Sequence, residues 1–167
     1  LNTKISYKLN DNNSLYLSGY FGRDVFNLSG SFENIYGNAT LNLRWNHIYN
    51  DKLFSNLSAI YSDYYYGLTL DFIGIKNYNL KYDFKHYLSD TWKLGYSVNG
   101  IYYDFNPGTI IPVGESSGIN RRQLDKKYAF EPAAYLEAEH KASQKLSFYY
   151  GLRYSQFYRM GQSTVNL

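Results

Sequence analysis

Apolar and polar residues alternate over eight segments of the chain, and this alternation is the strongest pattern in the sequence. In the run GNATLNLRWNHIYN, for example, Leu41 and Leu43 alternate with Asn42 and Arg44. The segments are 3–9, 15–21, 38–49, 56–62, 76–86, 92–103, 128–141 and 145–158. Each segment predicts a β-strand with one apolar and one polar face, and none shows the 3.6-residue period of an amphipathic helix.

Two kinds of connection are predicted between these strands, and they alternate strictly. Short polar turns are expected at residues 10–13, 50–52, 88–91 and 142–144, and longer loops at 22–36, 67–74 and 105–127. Short connections on one side and long ones on the other are typical of an antiparallel up-and-down sheet with two unlike ends.

The length of the strands indicates which solvent the apolar face meets. A strand of about 12 residues, tilted by about 40°, spans roughly the 25–30 Å apolar layer of a bilayer. Aromatic residues gather near both strand ends, as they do at the two interfaces of a membrane. The lipid-facing and interfacial candidates are Trp45, Tyr49, Trp92, Tyr96, Phe148, Tyr150 and Tyr154. We therefore predict an all-β fold, an antiparallel up-and-down transmembrane β-barrel, with a soluble sandwich or lipocalin-like barrel as the alternative.

Composition narrows the function classes. Among 167 residues there are 21 Tyr and no Cys, and 17 Lys and Arg against 14 Asp and Glu give a net charge of +3. This charge is too weak and too scattered for a nucleic-acid interface. Without cysteine, thiolate metal sites and cysteine nucleophiles are excluded. The three histidines, at positions 47, 86 and 140, lie near short turns of separate strands and are interpreted as interfacial, so we expect neither an enzyme nor a cofactor.

Polar positions of the predicted strands form the candidate inner surface. These candidates are Asn42, Arg44, Asn46, Lys81, Asp83, Glu131, Glu137, Glu139 and Arg153. They form either a binding or docking patch or an ordinary wet barrel wall, in which opposite charges offset one another across strands.

The predicted loop at 105–127 is longer than a connector requires, and loops of this length are often functional. Its candidates for ligand or partner contact are Ile110, Ile111, Glu115, Arg121 and Arg122. A packed structural loop is the alternative.

Residues 103–161 carry the motifs NPG, SSGIN, EPAAYLE and KLSFYYGLRYSQF. This run resembles the middle barrel region of TonB-dependent receptors of the Bacteroidota, which include the SusC/RagA-type nutrient importers, and the hairpin at 37–67 is similar to an earlier one. The resemblance implies a barrel of about 22 strands in the outer membrane of a Gram-negative bacterium. It also implies a plug domain of the same polypeptide, the TonB system and a SusD-like surface lipoprotein as partners.

Both ends of the chain are predicted on the long-loop side, so we expect residues 1–167 to be one internal section of a barrel domain, without the plug. The expected function is to form channel wall and extracellular loops for import of a nutrient such as a glycan, peptide or metal chelate. The alternatives are a complete eight-stranded barrel with a structural, adhesive or enzymatic role, and a barrel subunit of an envelope secretion or assembly complex.

Overall fold

The computed structural model describes residues 1–28, 32–68, 71–110, 120 and 122–161. The strands within these ranges are β1 (Asn2–Asn10), β2 (Asn13–Leu28), β3 (Phe32–Asn50), β4 (Leu53–Leu68), β5 (Asp71–Tyr87), β6 (Trp92–Asn106), β7 (Thr109–Ile110), β8 (Arg122–Gln123), β9 (Lys127–Ser143), β10 (Leu146–Ser155) and β11 (Tyr158–Met160). No helix in the described part of the chain is long and apolar enough to cross a membrane.

One antiparallel sheet contains nearly all of these strands, in the order β1-β2-β3-β4-β5-β6-β9-β10. The short strand β11 pairs with β9 beyond the end of β10, and β7 pairs with β8 in a separate hairpin. The predicted all-β, antiparallel up-and-down architecture is therefore confirmed. The sheet is open, because β1 and β10 form its two edges and do not pair with each other.

The strands are longer than the sequence pattern predicts. β3 has 19 residues and β4 has 16, which corresponds to roughly 63 and 53 Å of extended chain. The loops predicted at 22–36 and 67–74 are wrong, because β2 and β3 continue to pair as far as Leu28 and Phe32, and β4 and β5 as far as Leu68 and Asp71. The glycines and charged residues of these stretches resemble loop composition, but the ladder of backbone hydrogen bonds keeps the chain extended.

The predicted short turns are confirmed, at residues 11–12, 51–52, 88–91 and 144–145. Asparagine side chains shape two of them. The side-chain oxygen of Asn10 accepts the backbone N–H of Asn12 at 3.0 Å, and that of Asn50 accepts the N–H groups of Lys52 and Leu53 at 2.9 and 3.0 Å. Such local bonds favour a tight reversal of the chain. We call this end of the sheet the turn end, and the opposite end the loop end.

Pro132 explains why the last strand is interrupted. It lies in the middle of β9, opposite Gly100, and its carbonyl accepts the N–H of Gln156 at 3.1 Å. The N and C=O of a strand residue point to the same neighbouring strand, so the missing N–H of Pro132 also faces this side. Pairing with β9 accordingly stops at Ser155 and resumes at Tyr158.

The sheet is a single layer with almost no apolar core. Ala129 and Ala133 are the buried hydrophobic residues of the described ranges. The chain exposes 12490 Å², whereas a compact monomer of its mass, 19.5 kDa, exposes about 8,500 Å². Large apolar side chains therefore remain uncovered.

Candidate functional site: the two faces of the sheet

On all eight long strands most of the apolar residues lie on one face of the sheet. The register aligns them in rows across the strands, such as Leu17, Leu43, Ala59 and Leu80. These side chains are exposed, with Leu80 at 58% and Leu43 at 47%. We call this surface the apolar face.

An aromatic row crosses the apolar face toward the loop end. Tyr61, Tyr78 and Tyr102 occupy paired positions on β4, β5 and β6. Their ring centroids are 5.2 and 6.2 Å apart, and Tyr128 continues the row at 6.0 Å from Tyr102. These are favourable spacings for aromatic pairs, so the row is a continuous band of rings.

A second aromatic group lies on the same face at the turn end, on β2 and β3. The oxygen of Asn13 accepts the indole N–H of Trp45 at 2.9 Å and lies 2.7 Å from Nδ1 of His47. The His47 ring is 4.3 Å from that of Tyr49 in an edge-to-face arrangement, and the Tyr49 hydroxyl is 2.8 Å from that of Tyr82. Each ring thus packs its apolar body while its polar atom is hydrogen-bonded.

Stacked rings continue this turn-end group on β6, β9 and β10. Trp92 and His140 stack with centroids 4.0 Å apart, and Phe148 follows at 6.4 Å from His140. Phe148 in turn lies 6.2 Å from Tyr150.

The seven residues predicted to face lipid or an interface all lie on this face. Trp45, Tyr49, Trp92, Phe148 and Tyr150 belong to the turn-end group just described. Two others lie apart from that group. Tyr96 stacks on Phe84 at 5.0 Å between the two aromatic bands, and the Tyr154 hydroxyl donates to Gln156 at 3.0 Å near the loop end.

The opposite surface, which we call the polar face, contains all nine predicted inner residues. On β3, Asn46 donates to Asn56 at 3.0 Å, and the guanidinium of Arg44 lies 4.7 Å from the centre of the Tyr16 ring. Asn42 is aligned with Ile60 on β4.

Two lysines of the polar face form close ion pairs. Lys81 binds Asp83 at 2.8 Å, and the Lys93 ammonium binds Glu139 at 3.0 Å. Glu131 accepts the hydroxyl of Tyr103 at 2.9 Å. These contacts are those of a wet surface whose charges are locally compensated.

The remaining two predicted inner residues, Glu137 and Arg153, do not pair with each other. Glu137 lies over Gly95, whose missing side chain leaves the space that the carboxylate occupies. Arg153 is aligned with Tyr135, and it forms no ion pair with another residue in the described ranges.

The candidates in the 105–127 loop are described only in part. Ile110 and Arg122 pair across the small β7-β8 hairpin, and Arg122 is exposed. The hairpin starts after Gly108, whose φ of 85° is a conformation that favours glycine. The candidates Ile111, Glu115 and Arg121 lie outside the described residues.

A cleft of about 480 Å³ on the apolar side of the sheet was not predicted from the sequence. It lies beyond the loop-end aromatic row, and its charged lining residues are Arg23, Asp63, Lys76, Asp104 and Lys126. The sequence did contain a signal for this cleft. Asp63, Lys76 and Asp104 lie two residues beyond the row tyrosines of β4, β5 and β6, so alternation places them on the apolar face. Lys76 was placed at the start of the predicted strand 76–86, whereas Asp63 and Asp104 fell just outside the predicted segments, so the three charges were not placed on one surface.

No group of three or more His, Cys, Asp or Glu side chains within the described ranges is arranged to hold a metal ion. The sheet instead has two unlike faces. One is apolar between two aromatic bands, and the other is polar, with ion pairs between some of its charged residues.

Comparison with protein-family models, with curated proteins and with solved structures finds no match to this chain. What can be stated about the class of this protein comes from its fold. The chain is an all-β protein built on an open, antiparallel up-and-down sheet.

Proposed function

We propose that this chain is a section of the wall of a transmembrane β-barrel in the outer membrane of a Gram-negative bacterium. The observation that carries the proposal is the height of the apolar face between its two aromatic bands. On β6, Trp92 and Tyr102 are ten residues apart, which is about 33 Å along the strand and about 25 Å when the strand is tilted by 40°. The apolar band of outer-membrane barrels has this height.

The area of the apolar face supports the same proposal. Eight strands about 4.8 Å apart are roughly 34 Å wide, so with about 33 Å of strand between the aromatic bands the apolar band covers about 1,100 Å² in projection. The largest apolar patch of a typical soluble monomer is about 300–600 Å². Lipid is a solvent that covers such a face without a second protein layer.

The polar face then forms the inner wall, where half-buried Lys and Asp or Glu side chains pair across neighbouring positions. Together with the motifs at residues 103–161, this leads us to propose a TonB-dependent receptor that imports a nutrient. The plug domain of the same polypeptide, the TonB system and a SusD-like lipoprotein are its proposed partners. The unpaired edges of β1 and β10 favour a section of a larger barrel over a closed eight-stranded one.

Site-directed spin labelling of the full polypeptide in its membrane tests the orientation of the two faces. These 167 residues contain no cysteine, so single cysteines can be introduced among them without removing native ones. Leu80→Cys and Lys81→Cys are a matched pair, because they are neighbours on β5 and point to opposite faces. We expect the label at 80 to be accessible to oxygen from the lipid, and the label at 81 to a water-soluble nickel chelate.

A label at position 80 that is accessible mainly to the nickel chelate would overturn the membrane proposal. The receptor proposal has a separate test. A photo-crosslinking residue at Asp83 is expected to react with a plug segment of the same polypeptide, whereas one at Leu80 is not. Absence of that product, with the spin-label result as expected, would leave a barrel that is not a plugged receptor.

A further inference from the structure

The charged cleft at the loop end adjoins an apolar groove on the same face. The groove measures about 430 Å³ and is lined by Leu43, Ala59, Leu80 and the tyrosines of the loop-end row. Ala59 is the small residue between Leu43 and Leu80 in a cross-strand row, so it leaves a depression in a surface of larger side chains.

The tyrosine row is the boundary between the groove and the cleft. Asp63, Lys76 and Asp104 lie two residues beyond Tyr61, Tyr78 and Tyr102 on their respective strands, and they are aligned across the sheet. The Tyr61 hydroxyl donates to Asp63 at 3.0 Å. Hydrocarbon-sized space and charged groups are thus continuous on one surface.

The cations of the cleft are loosely paired. The Lys76 ammonium lies 3.6 Å from Asp63, and the Lys126 ammonium lies 3.5 Å from Asp104. Tight charge-assisted hydrogen bonds are about 2.7–2.9 Å long, as in the pair between Lys81 and Asp83 on the polar face, at 2.8 Å. The ammonium groups in the cleft can therefore donate to another anion.

Two further features fit an anionic, hydrogen-bonding ligand. Arg23 lines the cleft without a carboxylate partner in the described part of the chain, and three cations face two carboxylates, a balance of +1.

We propose that the cleft and groove together bind one lipid molecule that carries a phosphate headgroup. The phosphate oxygens accept hydrogen bonds from Lys76 and Lys126, and an acyl chain lies in the groove beside Ala59. This proposal rests on the proposed function, because it places the apolar face in the membrane. It adds a specific lipid site to a face that otherwise meets bulk hydrocarbon.

Native mass spectrometry of the delipidated full polypeptide in detergent tests the site. The probes are dioleoyl phosphatidylglycerol, dioleoylglycerol with the same chains but no phosphate, and glycerol phosphate with no chains. We expect the phospholipid to bind about tenfold more tightly than either fragment, since charge-assisted bonds and apolar burial each contribute. Equal binding of glycerol phosphate would overturn the lipid assignment in favour of a free phosphate.

Lys76→Gln is expected to weaken phospholipid binding about tenfold through loss of a charge-assisted bond. Lys81→Gln is the matched control, because it removes an ion-paired lysine of the same strand from the opposite face. If both variants weaken binding equally, or if neither does, the proposal is wrong. Lys126→Gln replaces Lys76→Gln if the latter lowers the urea midpoint of unfolding, because Lys126 lies outside the strands.

Ala59→Leu tests the groove separately, since it fills the depression and leaves every charge in place. We expect severalfold weaker binding of the phospholipid and unchanged binding of glycerol phosphate. Unchanged phospholipid binding would overturn the assignment of the groove. The spin-label experiment distinguishes the two proposals, because a lipid-facing Leu80 without selective binding contradicts only this one.

Discussion

Replacing Val98 by arginine separates a lipid-facing surface from a water-facing one. Val98 is 58% exposed on the apolar face, and it lies four residues from Tyr102 and six from Trp92. It is therefore about 10 Å from one aromatic band and about 15 Å from the other when the strand is tilted by 40°. An arginine this close to the middle of a bilayer costs about 2–4 kcal/mol, whereas an exposed substitution in water changes stability by about 0.5 kcal/mol or less.

The assay is urea unfolding of the full polypeptide in phosphatidylcholine vesicles, followed by tryptophan fluorescence. Asn99→Arg is the matched control, since it places the same charge on the next residue, on the polar face and beside Lys81. We expect a cost of about 1 kcal/mol or less for that variant. The reasoning is refuted if Val98→Arg unfolds within 0.5 kcal/mol of the parent protein, or if both variants cost the same.

Three further outcomes are expected from local structure. Asn13→Ala removes the acceptor of Trp45 and the partner of His47, and should lower the free energy of unfolding in vesicles by about 1–2 kcal/mol, with exposed Asn2→Ala as the neutral control. Gly74→Ala brings a methyl group to 2.9 Å from the Tyr64 carbonyl and should lower the free energy of unfolding by about 1–3 kcal/mol in the same assay. Gly19→Ala is the control and should leave that free energy unchanged, because its new contacts begin at 3.7 Å. Equal effects of the two substitutions would contradict this prediction. The hydrogen bond from Lys8 holds the pKa of the Asp11 carboxyl below its ordinary value of 3.8. The stabilisation of the first turn by this pair is therefore complete above pH 3.8 and is lost as the pH falls through the lower pKa of the folded state. An NMR titration that gives an unshifted Asp11 pKa in the folded protein would contradict this prediction.

Alternation of side chains made the strands and their two faces predictable from sequence, because a period of two is the geometry of an extended chain. It assigned Leu41 and Leu43 to one face and Asn42 and Arg44 to the other, as the register has them. The alternation pattern did not show at which residues the strands end. Arg23, Gly37 and Gly74 have the composition of loops, yet their backbones are paired in the ladder, and pairing depends on a partner strand that composition does not show.

The charged cleft was hidden for the same reason. Asp63 and Lys76 are 13 residues apart in sequence and become neighbours only through the register of β4 and β5. Asp104 joins them from β6 by a second pairing. Alternation fixes the face of each residue, but it does not fix which residues are opposite one another, so a site composed across strands requires the register.

The stability of the sheet depends on which solvent its apolar face meets. About 1,100 Å² of apolar surface left in water forgoes roughly 28 kcal/mol of hydrophobic stabilisation, at about 25 cal/mol per Å². Whole domains are stable by only about 5–15 kcal/mol, and here Ala129 and Ala133 are the buried apolar residues of the described ranges. Backbone pairing alone does not offset this deficit, because hydrogen bonds to water compete with it. This deficit supports the proposed membrane location, because a bilayer would cover Leu43, Leu80 and Val98 with an apolar layer about as high as the separation of the aromatic bands.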